Sequence, residues 1–280
     1  MSIYAKVVTD SISDHGHRLT TMEVQCHRFV LAEFNTHRRF SRNSASSRAI
    51  PFQKQLQRME ELGLAYPLSW PKEQKGMQGG EEFSEESIQN LRSGWEASAR
   101  GTIQMAQAMY SAGLHKSVIN RLLEPFMWHK IIVSATEWQN FFDQRCSPLA
   151  QPEIRVLAEA MEVALDESSP EHIGIDNWHL PYIDEETILA VMDADELELK
   201  QEALKRISAA RCARVSYLTH DGKRDIFADL DLFDKLVVAK PPHWSPLEHV
   251  ATPDLLDIHY SNFDGWIQLR GIYELAAQAS

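Results

Sequence analysis

The stretch Thr36-His37-Arg38-Arg39-Phe40-Ser41-Arg42-Asn43-Ser44-Ala45-Ser46-Ser47-Arg48 gathers four guanidiniums, several hydroxyls, an amide and an imidazole into one short run. Arginine forks bind phosphate through paired hydrogen bonds, and small hydroxyl residues let backbone N–H groups approach an anion closely. The run is therefore suited to grip phosphates and to hydrogen-bond a heterocycle. A solvated basic loop whose serines cap a helix is the plainer reading, but four arginines clustered in an acidic chain are less expected by chance.

Two further segments, Asn120-Arg121-Leu122-Leu123-Glu124-Pro125 and Asn140-Phe141-Phe142-Asp143-Gln144-Arg145, each set an arginine near an asparagine in apolar surroundings. A buried arginine needs a carboxylate or phosphate partner. Glu124, Glu137 and Asp143 could supply it internally, and an external anion is the other possibility. Near the end, His243-Trp244-Ser245-Pro246-Leu247-Glu248-His249 carries two histidines six apart, which matches neither one helix face nor a recurrent zinc spacing. No metal site is expected there. His129 and His179 read as ordinary core or surface histidines. The glycine-rich dinucleotide and phosphate loops and the serine-nucleophile elbow are all absent from the sequence.

The elements that must position these groups can be read from periodicity. Met22, Val24 and Cys26 alternate with Thr21, Glu23 and Gln25, which predicts a strand from about Arg18 to Cys26 with one buried face. Arg28 to Phe34 groups its apolar residues like the start of a helix, from whose far end Thr36 to Pro51 would emerge. Ile88, Leu91, Trp95, Ala99, Thr102, Met105 and Met109 form a stripe at three-and-four spacing. It follows Ser84 as N-cap, Glu85 and Glu86 in the first turn, and ends at Gly113, so one long helix is expected over about Ser84 to Ala112 with the stripe in the core. Further helices are expected around Ser117 to Leu123, Ile132 to Asp143, Pro152 to Leu165, Asp184 to Met192, Glu196 to Arg211 and Asp225 to Val238. Residues 67–80 and 168–181, rich in Pro, Gly and Trp, read as irregular connections. The balance is α+β with helix dominant, in one domain over residues 1–280.

Composition bounds the function. The chain has 280 residues, 44% hydrophobic and 24% charged, enough for one sizeable core. No run of eighteen apolar residues suggests a membrane span, and the start lacks the apolar region of a secretory signal, so a cytoplasmic enzyme is the expectation. Cys26, Cys146 and Cys212 are odd in number and far apart, which fits reduced thiols better than a disulfide framework. A formal net charge of −12 argues against polymeric nucleic acid as a partner. An anionic ligand must find a local basic pocket.

Taken together, these segments resemble the flavin-dependent thymidylate synthases, whose signature is R-H-R, two residues, S, one residue, N-E, one residue, S, one residue, R. Here it stands as Thr36-His37-Arg38, then Ser41, Asn43-Ser44, Ser46 and Arg48. The lead-in Arg28-Phe29-Val30-Leu31-Ala32-Glu33, the long helix, Arg121 before Pro125, and Asn140 to Arg145 with Ala150 to Ile154 follow in the family's order. Ala213-Arg214-Val215-Ser216-Tyr217 and Ser245-Pro246-Leu247-Glu248-His249 are similar to the family's opening motifs, which in most members come first and here come last. The order implies a circularly permuted, or duplicated and trimmed, arrangement.

The resemblance implies an α+β, helix-dominated fold with a small, mostly antiparallel sheet, and a homotetramer holding FAD between subunits. NADPH would reduce the flavin, methylenetetrahydrofolate would give the one-carbon unit, and dUMP would become dTMP. It also implies roles for residues. Thr36, His37, Arg38, Ser41, Asn43, Asn140, His243, Ser245 and Glu248 would hold FAD, with Ser134 to Thr136 near it. Glu33, Ser44, Ala45, Ser46, Ser47, Arg48, Arg121 and Arg145 would hold the nucleotide. Ser46, over the pyrimidine, and Arg145, aimed at its oxygens, would act in catalysis. Four positions depart from the pattern: Thr36 replaces the first Arg, Ser44 the acidic residue after Asn43, Glu33 the usual Gln and Ala49 a Tyr. Contacts would then move onto Arg39, Arg42, or Gln268 and Arg270, and C5 methylation or hydroxymethylation of another pyrimidine nucleotide, UMP or dCMP, becomes the rival reaction. A catalytically silent nucleotide-binding protein is the rival of another class.

Overall fold

The computed structural model describes residues 2–217, 225–256, 259–260 and 262–279. Strands β1 (Tyr4–Ser13) and β2 (Arg18–His27) form a hairpin whose turn uses Gly16 at φ 84°, a conformation that costs glycine little. β3 (Ser41–Ser44), β4 (Trp128–Ala135) and β5 (Glu171–Ile173) complete a five-stranded sheet in the order β3-β4-β2-β1-β5, antiparallel except for β5 on β1. Two short ribbons, β6 (Ala251–Pro253) with β9 (Trp266–Gln268) and β7 (His259–Tyr260) with β8 (Phe263–Asp264), lie in the last part of the chain.

Alternation along the strands gives the sheet two different faces. Met22, Val24, Cys26, Ile131 and Val133 pack under α5 (Gln139–Arg145) and α6 (Pro152–Asp166), against Phe141, Phe142, Ile154, Leu157 and Met161. The short helix α1 (Leu31–Phe34) adds Phe34 to the same cluster. On the opposite face Ile132 meets Cys212 and Val215 of α8 (Lys200–Tyr217). A second core joins α2 (Phe52–Leu62), α3 (Glu85–Ser111) and α4 (Lys116–Leu123). α7 (Glu185–Asp193), α9 (Ile226–Val238) and α10 (Leu269–Ala279) bury their apolar sides around α8.

The long helix starts where its cap predicts, with Ser84 accepting from the Ser87 N–H, and Gly113 follows its end at φ 87°. Its stripe is less buried than expected: Ala99 is enclosed and Trp95 is half-buried, whereas Leu91 and Met105 are exposed, and the enclosed Ala106 lies outside the stripe. The helix expected over Ile132 to Asp143 is corrected to the end of β4 followed by α5. Ile131, Ile132 and Val133 are β-branched and pair with Val24, Glu23 and Met22, and α5 begins only after Trp138. β1, β3 and α2 had not been expected from the periodicity. The three cysteines are free, and burial pushes the Cys26 thiol up to about 12, so it is an unreactive core group.

Candidate active site

Two corners of this scaffold collect the residues singled out from sequence. At the first, the loop after α1 meets the last turn of α5. Arg145 donates from Nε to His37 Nε2 at 3.0 Å and from Nη2 to Thr36 Oγ1 at 3.3 Å. The Thr36 hydroxyl in turn donates to the Glu33 carbonyl at 2.6 Å. Because His37 accepts from a guanidinium, its ring must be neutral with the proton on Nδ1. Burial and the charges of Arg145 and Arg42 bring its pKa down to about 4, in keeping with that tautomer. Phe141 packs edge-on to the ring at 4.8 Å and fixes its tilt.

Arg42 makes this corner rigid. Its guanidinium donates to Asn35 Oδ1 at 2.7 Å and to the carbonyls of Asn35, His37 and Phe40 at 3.0, 3.2 and 2.9 Å. Nothing in the sequence distinguishes this structural arginine from Arg38 and Arg48, which lie exposed on either side of it. Glu33 sits beneath the loop, and its Oε2 is buried with no hydrogen-bond partner among the described residues. Arg145 also lines a cleft of about 800 Å³, whose walls include Phe29, Trp95, Gln78 and Gln151.

The second corner lies at the far end of β3. Glu124 accepts from Ser47 Oγ, from Arg121 Nη1 at 3.0 Å and from Arg28 Nη2 at 3.3 Å. Arg121 thus has the internal carboxylate that the sequence offered as one alternative. Asn120 donates to the carbonyls of Ser47 and Ile50 at 2.7 and 3.0 Å, and Arg28 to that of Ala45 at 3.2 Å, so the Ala45 to Ile50 turn is held from below. Ser44, at the end of β3, and Ser46, on the turn, are half-exposed. Arg28 and Glu124 were not singled out as site residues, although Glu124 three residues after Arg121 was the signal.

The late block packs on the early one. Asn43 donates to the Cys212 carbonyl at 3.2 Å and accepts from Ser245 Oγ at 3.4 Å. Ser41 accepts from Gln268 at 2.9 Å and from Asn262 at 3.2 Å, while Gln268 also donates to the Glu248 carbonyl at 3.0 Å. Arg270 pairs with Glu248, and Arg39 with Asp264, whose N–H donates to Thr136 Oγ1 at 3.1 Å. Asn43, His243, Trp244 and Ser245 line a hollow of about 250 Å³ without a carboxylate among its walls. The Ser245 hydroxyl proton is given to Asn43, so the second amide N–H of Asn43, the Ser245 oxygen and the indole of Trp244 are what this lining offers the polar edge of a flavin ring. Asn140 is exposed at the start of α5, apart from this hollow. The side chain of Ser216 lies outside the described residues.

Behind the site runs a closed chain of side chains. Ser11 Oγ meets His179 Nδ1 at 2.8 Å, Thr21 Oγ1 bridges His179 Nε2 at 2.7 Å and Ser134 Oγ at 2.6 Å, and Ser134 reaches His249 Nδ1 at 2.8 Å. All five residues are buried, which places Ser134 and His249 inside the core.

A family model described as thymidylate synthase complementing protein matches residues 12–171, more than half of the chain. The chain belongs to that family. The matched span carries both corners, from Glu33 to Arg145, whereas α7 to α10 lie beyond it. No curated protein matches the chain. Among solved structures it is similar to a UMP/dUMP methylase PolB from Streptomyces cacaoi. The crystal structure with 5-Br UMP shows 16% identity over 59% of this chain and 89% of that one, with a TM-score of 0.47. The structure with 5-Br dUMP shows 18% identity over 59% and 90%, with a TM-score of 0.43.

Proposed function

We propose that the protein is a flavin-dependent methylase of a uracil nucleotide, converting dUMP to dTMP with methylenetetrahydrofolate as carbon donor and NADPH as reductant. Family membership supports methyl transfer to a pyrimidine nucleotide, and the observation that carries the finer reading is Arg145 held by Thr36 and His37 at the mouth of a large cleft. Uracil C5 becomes nucleophilic when negative charge builds on the ring oxygens, and the guanidinium N–H groups that Thr36 and His37 leave unused can stabilise that charge. Neutral His37 orients the fork without competing for its charge. Ser46 polarises the pyrimidine from the Ala45 to Ile50 turn, and Arg48 takes the phosphate, with Ser44, Ala45, Ser47 and Arg121 beside it. Thr36, His37, Arg38, Ser41, Asn43, Asn140, His243, Ser245 and Glu248 would hold FAD, near Ser134 and Thr136, and the bound flavin would supply the redox step.

The same reading includes a homotetramer and a permuted order of the family's motifs. Leu91, Met105, Tyr110, Leu114, Val118 and Leu122 leave large apolar side chains exposed along α3 and α4, the kind of surface that association covers. The contacts of Asn43 and Ser41 with the late block support the permutation. A cytoplasmic location belongs to this reading too.

The enclosed, unpartnered Glu33 oxygen asks for a hydrogen-bond donor, which uracil N3–H, a sugar hydroxyl or the amino group of cytosine can each supply. UMP and dCMP are therefore the rivals of dUMP at this site. Single-turnover assays offering dUMP, UMP and dCMP with reduced FAD and methylenetetrahydrofolate decide between them. A colourless monomer that takes up no FAD would overturn the flavoenzyme reading.

A further inference from the structure

Between α2, the outer face of the sheet and α8 lies a hollow of about 300 Å³ that plays no part in the chemistry above. Its walls carry four cations, Lys54, Arg58, Lys130 and Arg214, and one acid, Glu61. Alternation along β2 and β4 puts Gln25 and Lys130 on the face opposite Val24, Cys26 and Ile131, which pack toward α5. The hollow and the Arg145 corner are therefore on opposite sides of the sheet. In a chain of net charge −12 such a concentration of positive charge is a local exception.

The cations differ in what holds them. Lys130 is tied to Glu23 at 3.0 Å, and Glu23 is occupied further by the hydroxyls of Tyr4 and Tyr182 at 2.8 and 3.0 Å. Arg214 is tied to Asp229 at 2.6 Å, a carboxylate that also takes Arg211 at 2.9 Å. Both are thus fixed in place from behind, each by a single carboxylate oxygen, with donors left over. Arg58 is different. It is half-buried, burial pulls its pKa down against the attraction of the nearby Glu61 carboxylate, and it makes no hydrogen bond or ion pair among the described residues. A partly desolvated guanidinium with an unused fork is costly unless an anion completes it. Lys54 stands exposed at the rim.

We propose that this hollow binds a phosphate dianion, free or as the head of a small monoester. Arg58 grips it as a fork, Lys130 and Arg214 neutralise the second charge, and Lys54 steers it in. The volume sits at the lower end of small-molecule sites, room for a sugar phosphate and not for a dinucleotide.

Calorimetric titration of the full-length protein with inorganic phosphate, ribose 5-phosphate and glutarate tests the assignment, in the parent and in Arg58→Gln, Lys54→Glu and Arg48→Ala. Phosphate binding about ten-fold weaker in Arg58→Gln and in Lys54→Glu, yet retained in Arg48→Ala, is the expected result. Arg48→Ala separates this hollow from the proposed nucleotide site, so either can fail alone. Lys54 is exposed, and its substitution keeps the test valid should Arg58→Gln not fold. Ribose 5-phosphate binding more tightly than phosphate assigns a monoester, and equal binding assigns the free anion. Phosphate affinity unchanged in both Lys54→Glu and Arg58→Gln, or glutarate binding as tightly as phosphate, overturns the proposal.

Discussion

The Ser11–His179–Thr21–Ser134–His249 chain and the Thr36–His37–Arg145 corner are both hydrogen-bonded histidine clusters built on one sheet, and they are opposites in what they leave over. In the first, every side chain is enclosed and the donors and acceptors are spent on one another, His249 Nε2 excepted. In the second, half-exposed Arg145 spends two hydrogen bonds on its neighbours and keeps the rest of its fork for something else. A polar cluster inside a core buys uniqueness of packing, while one at a cleft wall holds capacity in reserve. Changes in the first should therefore move stability and spare binding, and changes in the second should do the reverse.

The largest effect is expected from acid. Burial holds His179 and His249 neutral, with pKa values down to about 3, so the unfolded chain takes up their protons first. Stability is whole above about pH 6.5 and falls as pH drops from there toward about 3, by on the order of several kcal/mol for the pair. Urea unfolding between pH 7 and pH 4 measures this; a midpoint that does not move would break the comparison. Next comes Thr21→Val, which keeps shape but strands His179 Nε2 and leaves Ser134 Oγ with His249 alone. A loss of about 3 kcal/mol in unfolding free energy is expected, with nucleotide affinity unchanged in the folded protein.

Arg145→Ala should do the opposite, weakening nucleotide binding about ten- to hundred-fold while unfolding shifts by less than about 1 kcal/mol. Arg48→Ala should resemble it in binding and retain FAD. Ser46→Ala should give the smallest effect on affinity, and the split sharpens the comparison: under the proposed role, in which the hydroxyl acts as charge develops on the ring, turnover at saturation should fall more than binding weakens. Flavin absorbance during nucleotide titration, followed by turnover measurements, separates the three variants.

What could be read from the sequence depended on whether the signal was local. The cap at Ser84, the alternation of Met22 to Cys26 and the dense basic run from Thr36 to Arg48 are all patterns within a few residues, and each corresponds to a real element or corner. Residues Ile132 to Asp143 misled because a β-branched strand end and a short aromatic helix follow one another without a glycine or proline between them. The arginines show the same limit at the level of the site. Arg42, Arg38 and Arg48 look alike in the sequence, yet Arg42 alone is consumed by the loop's own carbonyls, a fact of chain geometry. Glu124 as the common partner of Ser47, Arg121 and Arg28 needs three distant segments to meet, and only the Arg121 spacing announced it.

The Arg42 clamp has a kinetic side. A loop that must be ordered by its ligand surrenders part of the contact energy to lost conformational freedom, and binding slows while the loop searches for its shape. Four hydrogen bonds from one guanidinium already fix Asn35 to Phe40 without a ligand. The corner that presents His37 therefore meets an incoming molecule as a rigid template, and association there is set by encounter and desolvation, with no folding step of its own.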